Sequence, residues 1–103
     1  MKGMPNLQKM LKTAKEMQEK MQKELAAMRV EGSSGGGMVS VTLDGNKNLL
    51  KISIEPEVVN KDDVEMLQDL IIAAFNDAVT KVDEKISEKF AALGPGFKIP
   101  GLF

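Results

Sequence analysis

A chain of 103 residues supports one hydrophobic core, burying roughly 65% of the surface its unfolded form would expose. It contains no cysteine and no histidine, which excludes disulfides, thiol chemistry and any nucleophile activated by an imidazole. The formal net charge of −1 conceals an asymmetry: residues 1–29 carry seven basic side chains against three acidic ones, whereas residues 30–103 carry seven against twelve. A basic leading segment on an otherwise acidic chain suggests an anionic partner for that segment alone; the alternative is that lysine and glutamate simply solvate the outer face of a helix.

No apolar run approaches the roughly 20 residues of a membrane span, and the first residues lack the apolar core of a secretory signal. The expectation is a cytoplasmic chain without a membrane partner.

Residues 6–27 place Leu7, Met10, Leu11, Ala14, Met17, Met21, Leu25 and Met28 at spacings of three and four, the stripe of an amphipathic helix opened by Pro5 and Asn6. The stripe approaches a heptad interrupted by Gln18 and suits lengthwise packing on another long helix. Its methionines fit either ordinary packing or an adaptable partner surface.

Near Ala27 the period changes to two. Met28, Val30 and Gly32 alternate with Arg29 and Glu31, which predicts a short strand. Ser33 and Ser34 lead into a run of glycines, Gly35 to Gly37, that lacks the Lys-Ser/Thr pair and following helix of a phosphate-binding loop. A hairpin connection is predicted instead. Val39, Val41 and Leu43 alternate with Ser40 and Thr42. Asp44, Gly45 and Asn46 then supply residues that tolerate positive φ, and Leu50, Ile52 and Ile54 alternate with Lys51 and Ser53. The prediction is a three-stranded antiparallel meander.

Pro56 stops the last strand. Asn60 is then expected to cap a second helix, with Asp62, Asp63 and Glu65 placing negative charge at its positive end. Val64, Leu67, Ile71, Ala74, Phe75, Ala78, Val82, Ile86, Phe90 and Leu93 form the apolar face. The stretch from Leu70 to Phe75 is apolar almost all round and calls for cover on more than one side. Gly94, Pro95 and Gly96 end the helix. The expected organisation is one α+β domain over residues 1–93, of order α-β-β-β-α with the meander between two long helices, and an apolar tail over 94–103.

A second helix of about 30 residues, roughly 45 Å long, overshoots a compact domain of this size, so its far end must project or be covered by another chain. The apolar side of the sheet, with Val39, Val41, Ile52 and Ile54, and the mid-helix belt, with Ile72 and Phe75, offer surface for a symmetric homodimer with projecting arms. Since a three-strand meander returns the chain, the helices should run antiparallel. That arrangement is expected to bring Lys2, Lys9, Lys12 and Lys15 beside Lys81, Lys85 and Lys89, a basic tip suited to phosphates.

The order of a Lys- and Met-rich helix, Val30-Glu31-Gly32 with a Gly-rich segment, Val39-x-Val41, Ile52-x-Ile54-x-Pro56, an acid-capped helix and a GPGFKIPGLF end resembles the YbaB/EbfC family of nucleoid-associated proteins. The resemblance spans essentially the whole chain. It implies a homodimer with helical arms likened to tweezers, binding to double-stranded DNA in the nucleoid, no cofactor, and DNA contact through both helices. Carried over as a region, that contact comprises Lys9, Lys12, Lys15, Lys20 and Lys23 of the first helix and Lys81, Lys85 and Lys89 of the second. Arg29 is the single arginine, so phosphate contact is expected over base reading, for which Gln8, Gln18 and Gln22 are the candidates.

The leading expectation is therefore a DNA-binding homodimer that coats, bridges or bends DNA. Phe90, Phe97 and Phe103 are candidate wedges, or packing residues. With neither Trp nor Tyr there is no stacking platform for single strands. The alternative is an assembly scaffold that grips another protein through its Met-rich helices. Neither an enzyme nor a small-molecule substrate is expected. The acids at 62, 63 and 65 are read as helix-end complementation, with no metal site.

Overall fold

The computed structural model describes residues 6–91. The order is helix α1 (Leu7–Ala27), strand β1 (Val30–Ser34), a 3₁₀ turn (Gly35–Gly37), strands β2 (Val39–Leu43) and β3 (Leu49–Ile54), a second 3₁₀ turn (Pro56–Val58) and helix α2 (Val64–Ala91). The strands pair antiparallel in the order β1-β2-β3, so the α+β class and the α-β-β-β-α order expected above both hold. Leu93 and the tail over 94–103 lie outside the described residues.

Register places Gly32 opposite Val41 and Val41 opposite Ile52, with Val30 facing Leu43 and Val39 facing Ile54. Residues directly opposite one another share a sheet face, so these form one apolar face, while Ser33, Ser40, Thr42, Lys51 and Ser53 form the polar one. Helix α2 lies across β1 and β2 on the apolar face. Its buried row Ala74, Ala78, Val82, Ile86 and Phe90 closes on Val39, Val41 and Leu43. A four-residue spacing drifts slowly round a helix of 3.6 residues per turn, which keeps one row against one sheet.

Close approach requires a gap in the side chains, and Gly32 provides it. A Cβ at that position would meet Ala78 N, and would lie 2.6 Å from both Ala74 O and Ala78 Cα. Glycine is needed here for contact, not for its freedom in φ. At the β2–β3 turn the expectation for Gly45 is corrected in the same sense. The positive φ falls on Lys47, at 66°. Gly45 instead donates its N–H to Leu25 O at 2.8 Å, and its own Cβ would lie 2.9 Å from Leu25 Cα. The glycine seats the turn against the end of α1.

Three further expectations are corrected. The cap of α2 is Asp63, whose carboxylate accepts from Met66 N at 3.1 Å. Asn60 turns the chain just before it, its side chain accepting from Asp62 N at 2.9 Å; an Asx turn uses the same oxygen a cap would. In β3 the simple alternation breaks, because Thr42 pairs with Lys51 and Leu43 with Leu49, leaving Leu50 as the extra residue of a bulge. The far end of α2 meets α1: Lys89 and Phe90 line one groove with Met17, Lys20, Met21 and Glu24. Lower on both helices, Lys85 shares a cleft with Met28 and Arg29, so α1 and α2 run antiparallel as expected.

The element that leaves the body is the first helix. Every residue from Asn6 to Lys20 is exposed. The radius of gyration is 19.6 Å and the extents are 75 × 23 × 17 Å, against about 13 Å for a compact chain of this length.

Candidate nucleic-acid interface

Helix α1 is held at its outer end by a single cap, the Asn6 side chain accepting from Lys9 N at 3.2 Å. At its inner end Leu25 and Met28 are buried in the core, and Arg29 Nη1 donates to Ala26 O and Met28 O, both at 2.8 Å. Among the described residues the arm is thus anchored at its carboxyl-terminal end. At 100° per residue, Lys9, Lys12, Lys15, Lys20 and Lys23 gather on the side opposite the Leu7, Met10, Ala14, Met17 and Met21 stripe. All five are exposed. Among the described residues the ion pairs are Lys47 with Asp83, Lys81 with Asp77 and Lys89 with Glu24, so none of the five is tied to an acid. From Lys9 to Lys23 the helix rises about 21 Å, the axial rise of about six nucleotides on one strand of duplex DNA.

The α2 lysines sit differently. Lys81 Nζ lies 2.9 Å from Asp77 Oδ2, and the same carboxylate oxygen accepts from Ser33 N at 2.9 Å. The Ser33 N–H first, and the Lys81 ammonium second, hold the Asp77 carboxyl below the usual carboxylate range. Lys81 is thereby fixed beside β1. Lys89 lies 3.6 Å from Glu24, and Lys85 opens onto the cleft with Arg29.

The basic groups expected at one tip therefore divide in two within the described residues. Lys85 and Lys89 meet the inner half of α1, near Lys20 and Arg29; Lys9, Lys12 and Lys15 stand farther out, and Lys2 lies outside the described residues. Phe90 of α2 lies at the level of Met17 and Met21 on α1, whereas Lys9, Lys12 and Lys15 lie nearer the start of α1. Arg29, the single arginine, spends its guanidinium on the carbonyls of Ala26 and Met28 at the end of α1. Phe90 is buried and so is not a wedge; Phe97 and Phe103 lie outside the described residues. Gln8, Gln18 and Gln22 are exposed on α1.

The residues expected at a dimer surface also separate. Val39 and Val41 are 0% and 1% exposed under α2, so they belong to the protomer core and have no surface to offer. Ile52 and Ile72 are 42% and 57% exposed, and Ile54 and Phe75 are half-buried. Ile72 lies eleven residues, about three turns, from Asp83, and Asp83 pairs with Lys47 of the β2–β3 turn at 2.8 Å. The Ile72 flank of α2 therefore overlooks β3, whose apolar side α2 leaves uncovered. Among the described residues no cluster of acids is placed to hold a metal ion, and no helix is long and apolar enough to cross a membrane.

A three-stranded sheet with one helix seated on it and a second carried away, bearing lysines without acidic partners, defines a small α+β protein that offers a polyanion an exposed basic helix. The chain belongs to the YbaB/EbfC DNA-binding family, whose model matches residues 2–97. It is 54% identical to a nucleoid-associated protein of Geobacillus kaustophilus over 98% of this chain and 96% of that one. It is 52% identical to a nucleoid-associated protein of Caldanaerobacter subterraneus, over 95% and 91% respectively. The fold is also similar to the crystal structure of an uncharacterized protein from Helicobacter pylori, with a TM-score of 0.70, 28% identity and coverage of 85% of this chain and 94% of that one.

Proposed function

We propose that this protein is a nucleoid-associated homodimer that binds double-stranded DNA through phosphate contacts from α1 and coats, bridges or bends it. The observation that carries this reading is the run of five exposed lysines on α1 without acidic partners, in a chain whose family binds DNA. Lysine is a mobile point charge, suited to phosphates and poor at reading bases. Lys85, Lys89 and Lys81 add to the interface less, because two of them already hold acids whose attraction a phosphate must replace. Neutralising about five phosphates gives a log–log salt slope of roughly −4 to −5.

The homodimer is supported by the step of uncovered apolar surface formed by Ile52 and Ile54 on β3 and by Ile72 and Phe75 on α2. Two such arms from one symmetric body offer DNA two basic tracks, which raises affinity through effective concentration. No cofactor is required for contacts of this kind, and the proposed location is the cytoplasmic nucleoid.

A gel-shift titration at two salt concentrations tests the reading. Replacing Lys9, Lys12, Lys15 and Lys20 by Gln should flatten the slope by about 0.9 for each phosphate that is no longer neutralised. Replacing Lys81, Lys85 and Lys89 should flatten it less. Unchanged binding by the α1 variant, still folded and dimeric, would overturn the proposal. A second reading, an assembly scaffold gripping another protein, rests on the exposure of Leu7, Met10, Leu11 and Met17. It predicts a partner held as well or better when salt is raised.

A further inference from the structure

Two neighbouring grooves run between α1 and α2, and one ion pair stands in both. Glu24 and Lys89 line the groove that holds Met17, Lys20, Met21 and Phe90, and also the cleft that holds Arg29, Lys85 and Glu88. Around this point the helices gather four cationic side chains, Lys20, Arg29, Lys85 and Lys89, against the two acids Glu24 and Glu88. A local surplus of positive charge draws anions. Arg29 removes an obstacle to them, because its bonds to Ala26 O and Met28 O take up carbonyls at the negative end of α1.

The ion pairs among the described residues are not alike. Lys47 meets Asp83 at 2.8 Å and Lys81 meets Asp77 at 2.9 Å, the separation of charge-assisted hydrogen bonds, and Ser33 N holds Asp77 as well. Lys89 stops 3.6 Å from Glu24, with the two side chains 42% and 38% exposed. A pair this long and this wet exchanges readily, since the flexible lysine stem carries its ammonium to another acceptor. A backbone phosphate is such an acceptor, with one negative charge spread over two free oxygens.

We propose that Glu24 is an internal competitor for DNA: in the free protein its carboxylate engages Lys89 at the root of the arm, where a backbone phosphate engages it in the complex. The inference rests on the DNA-binding reading above and names the residue that limits it. On binding, Lys89 passes from Glu24 to the phosphate, while Lys20 and Lys85, which make no ion pair among the described residues, face the same strand. The Glu24 charge remains beside the phosphate and repels it, so affinity falls below what the lysines alone would give. Asp77 does not play this part, because the Ser33 N–H keeps it in place whether or not Lys81 leaves.

Gel-shift titrations of the full chain test the proposal. Glu24→Gln should tighten binding to duplex DNA by about three- to tenfold at low salt, with the advantage shrinking as salt rises. Glu16→Gln, which removes the same charge from the same helix away from Lys89, should change binding by less than about twofold. Lys89→Gln should cost the parent little and should cancel most of the gain in the Glu24→Gln background, the coupling expected of two residues that act on each other. A parent that shifts no DNA would strike the DNA-binding reading and this inference with it. A parent that binds, with Glu24→Gln no tighter than Glu16→Gln, would overturn the competitor alone, as would a gain that survives Lys89→Gln.

Discussion

Asp44 shows how one side chain organises a turn. It is buried, and its carboxylate accepts from Asn46 N at 2.8 Å, Asn48 N at 2.9 Å and Asn48 Nδ2 at 3.0 Å. The Asn48 backbone N–H, and then its side-chain amide, hold the Asp44 carboxyl below the usual 3.8. Because the folded value lies below the unfolded one, the ionised form favours the folded state. That stability is complete above the unfolded value and is lost as pH falls through the lower, folded value. Asp44→Asn should therefore lower stability by about 1–3 kcal/mol at neutral pH, since it sets an amide against the Asn48 amide. Denaturant titrations of the two proteins should converge as the pH is taken below 3.8. An undiminished gap at acid pH would show that the charge is not the cause.

Gly32 carries the opposite kind of necessity, a missing side chain. Gly32→Ala forces a methyl group into the backbone of α2 at Ala74 and Ala78, and rigid backbone yields less than a side-chain end. The expected loss is about 3 kcal/mol, or roughly 10–20 °C in melting temperature. A variant melting within a few degrees of the parent would mean that α2 rides over the sheet more loosely than these distances imply. At neither residue does local sequence reveal the reason. Gly32 sits in an alternating run, and the helix that demands its hydrogen atom lies more than forty residues away.

At the scale of elements, α1 and α2 draw their stability from different sources. Helix α2 is held by its buried row, so its Asp63 cap is an addition to packing already in place. Among the described residues helix α1 gains little from packing over residues 6–20, all exposed, and lone helices of this length are marginal in water. Its outer turn depends on the Asn6 cap. Asn6→Ala should weaken the first turn by about 1 kcal/mol, raising amide exchange there roughly fivefold. The melting of the sheet and α2 should not change. If exchange in the first turn is unaltered, something other than the cap holds it.

The whole molecule is a body with one helix extending from it, and its proposed dimer rests on the side of the sheet that α2 does not reach. Ile52→Lys together with Ile72→Glu should shift sedimentation from a two-chain to a one-chain species while leaving the protomer folded. Lys51→Glu, on the polar face, should not. Dimers surviving the double substitution would place the symmetric contact elsewhere. Salt dependence of DNA binding should weaken with the dimer, since one arm neutralises fewer phosphates than two.

Periodicity in the chain by itself specified the elements: a period near 3.6 for two helices, a period of two for three strands, and a meander forced by short connections between them. It also placed the lysines on one side of α1, since spacing along a helix is spacing round it. Tertiary structure alone decided which apolar faces are closed. A two-residue alternation marks Val41 and Ile52 alike as inward, and only the line that α2 takes over β1 and β2 buries the first and leaves the second half-open. Local pattern records a preference for burial, and burial itself requires a partner surface from a distant part of the chain. For the same reason sequence could pair the two helices as antiparallel, while the level at which Lys89 meets Glu24 depended on the seating of α2 on the sheet.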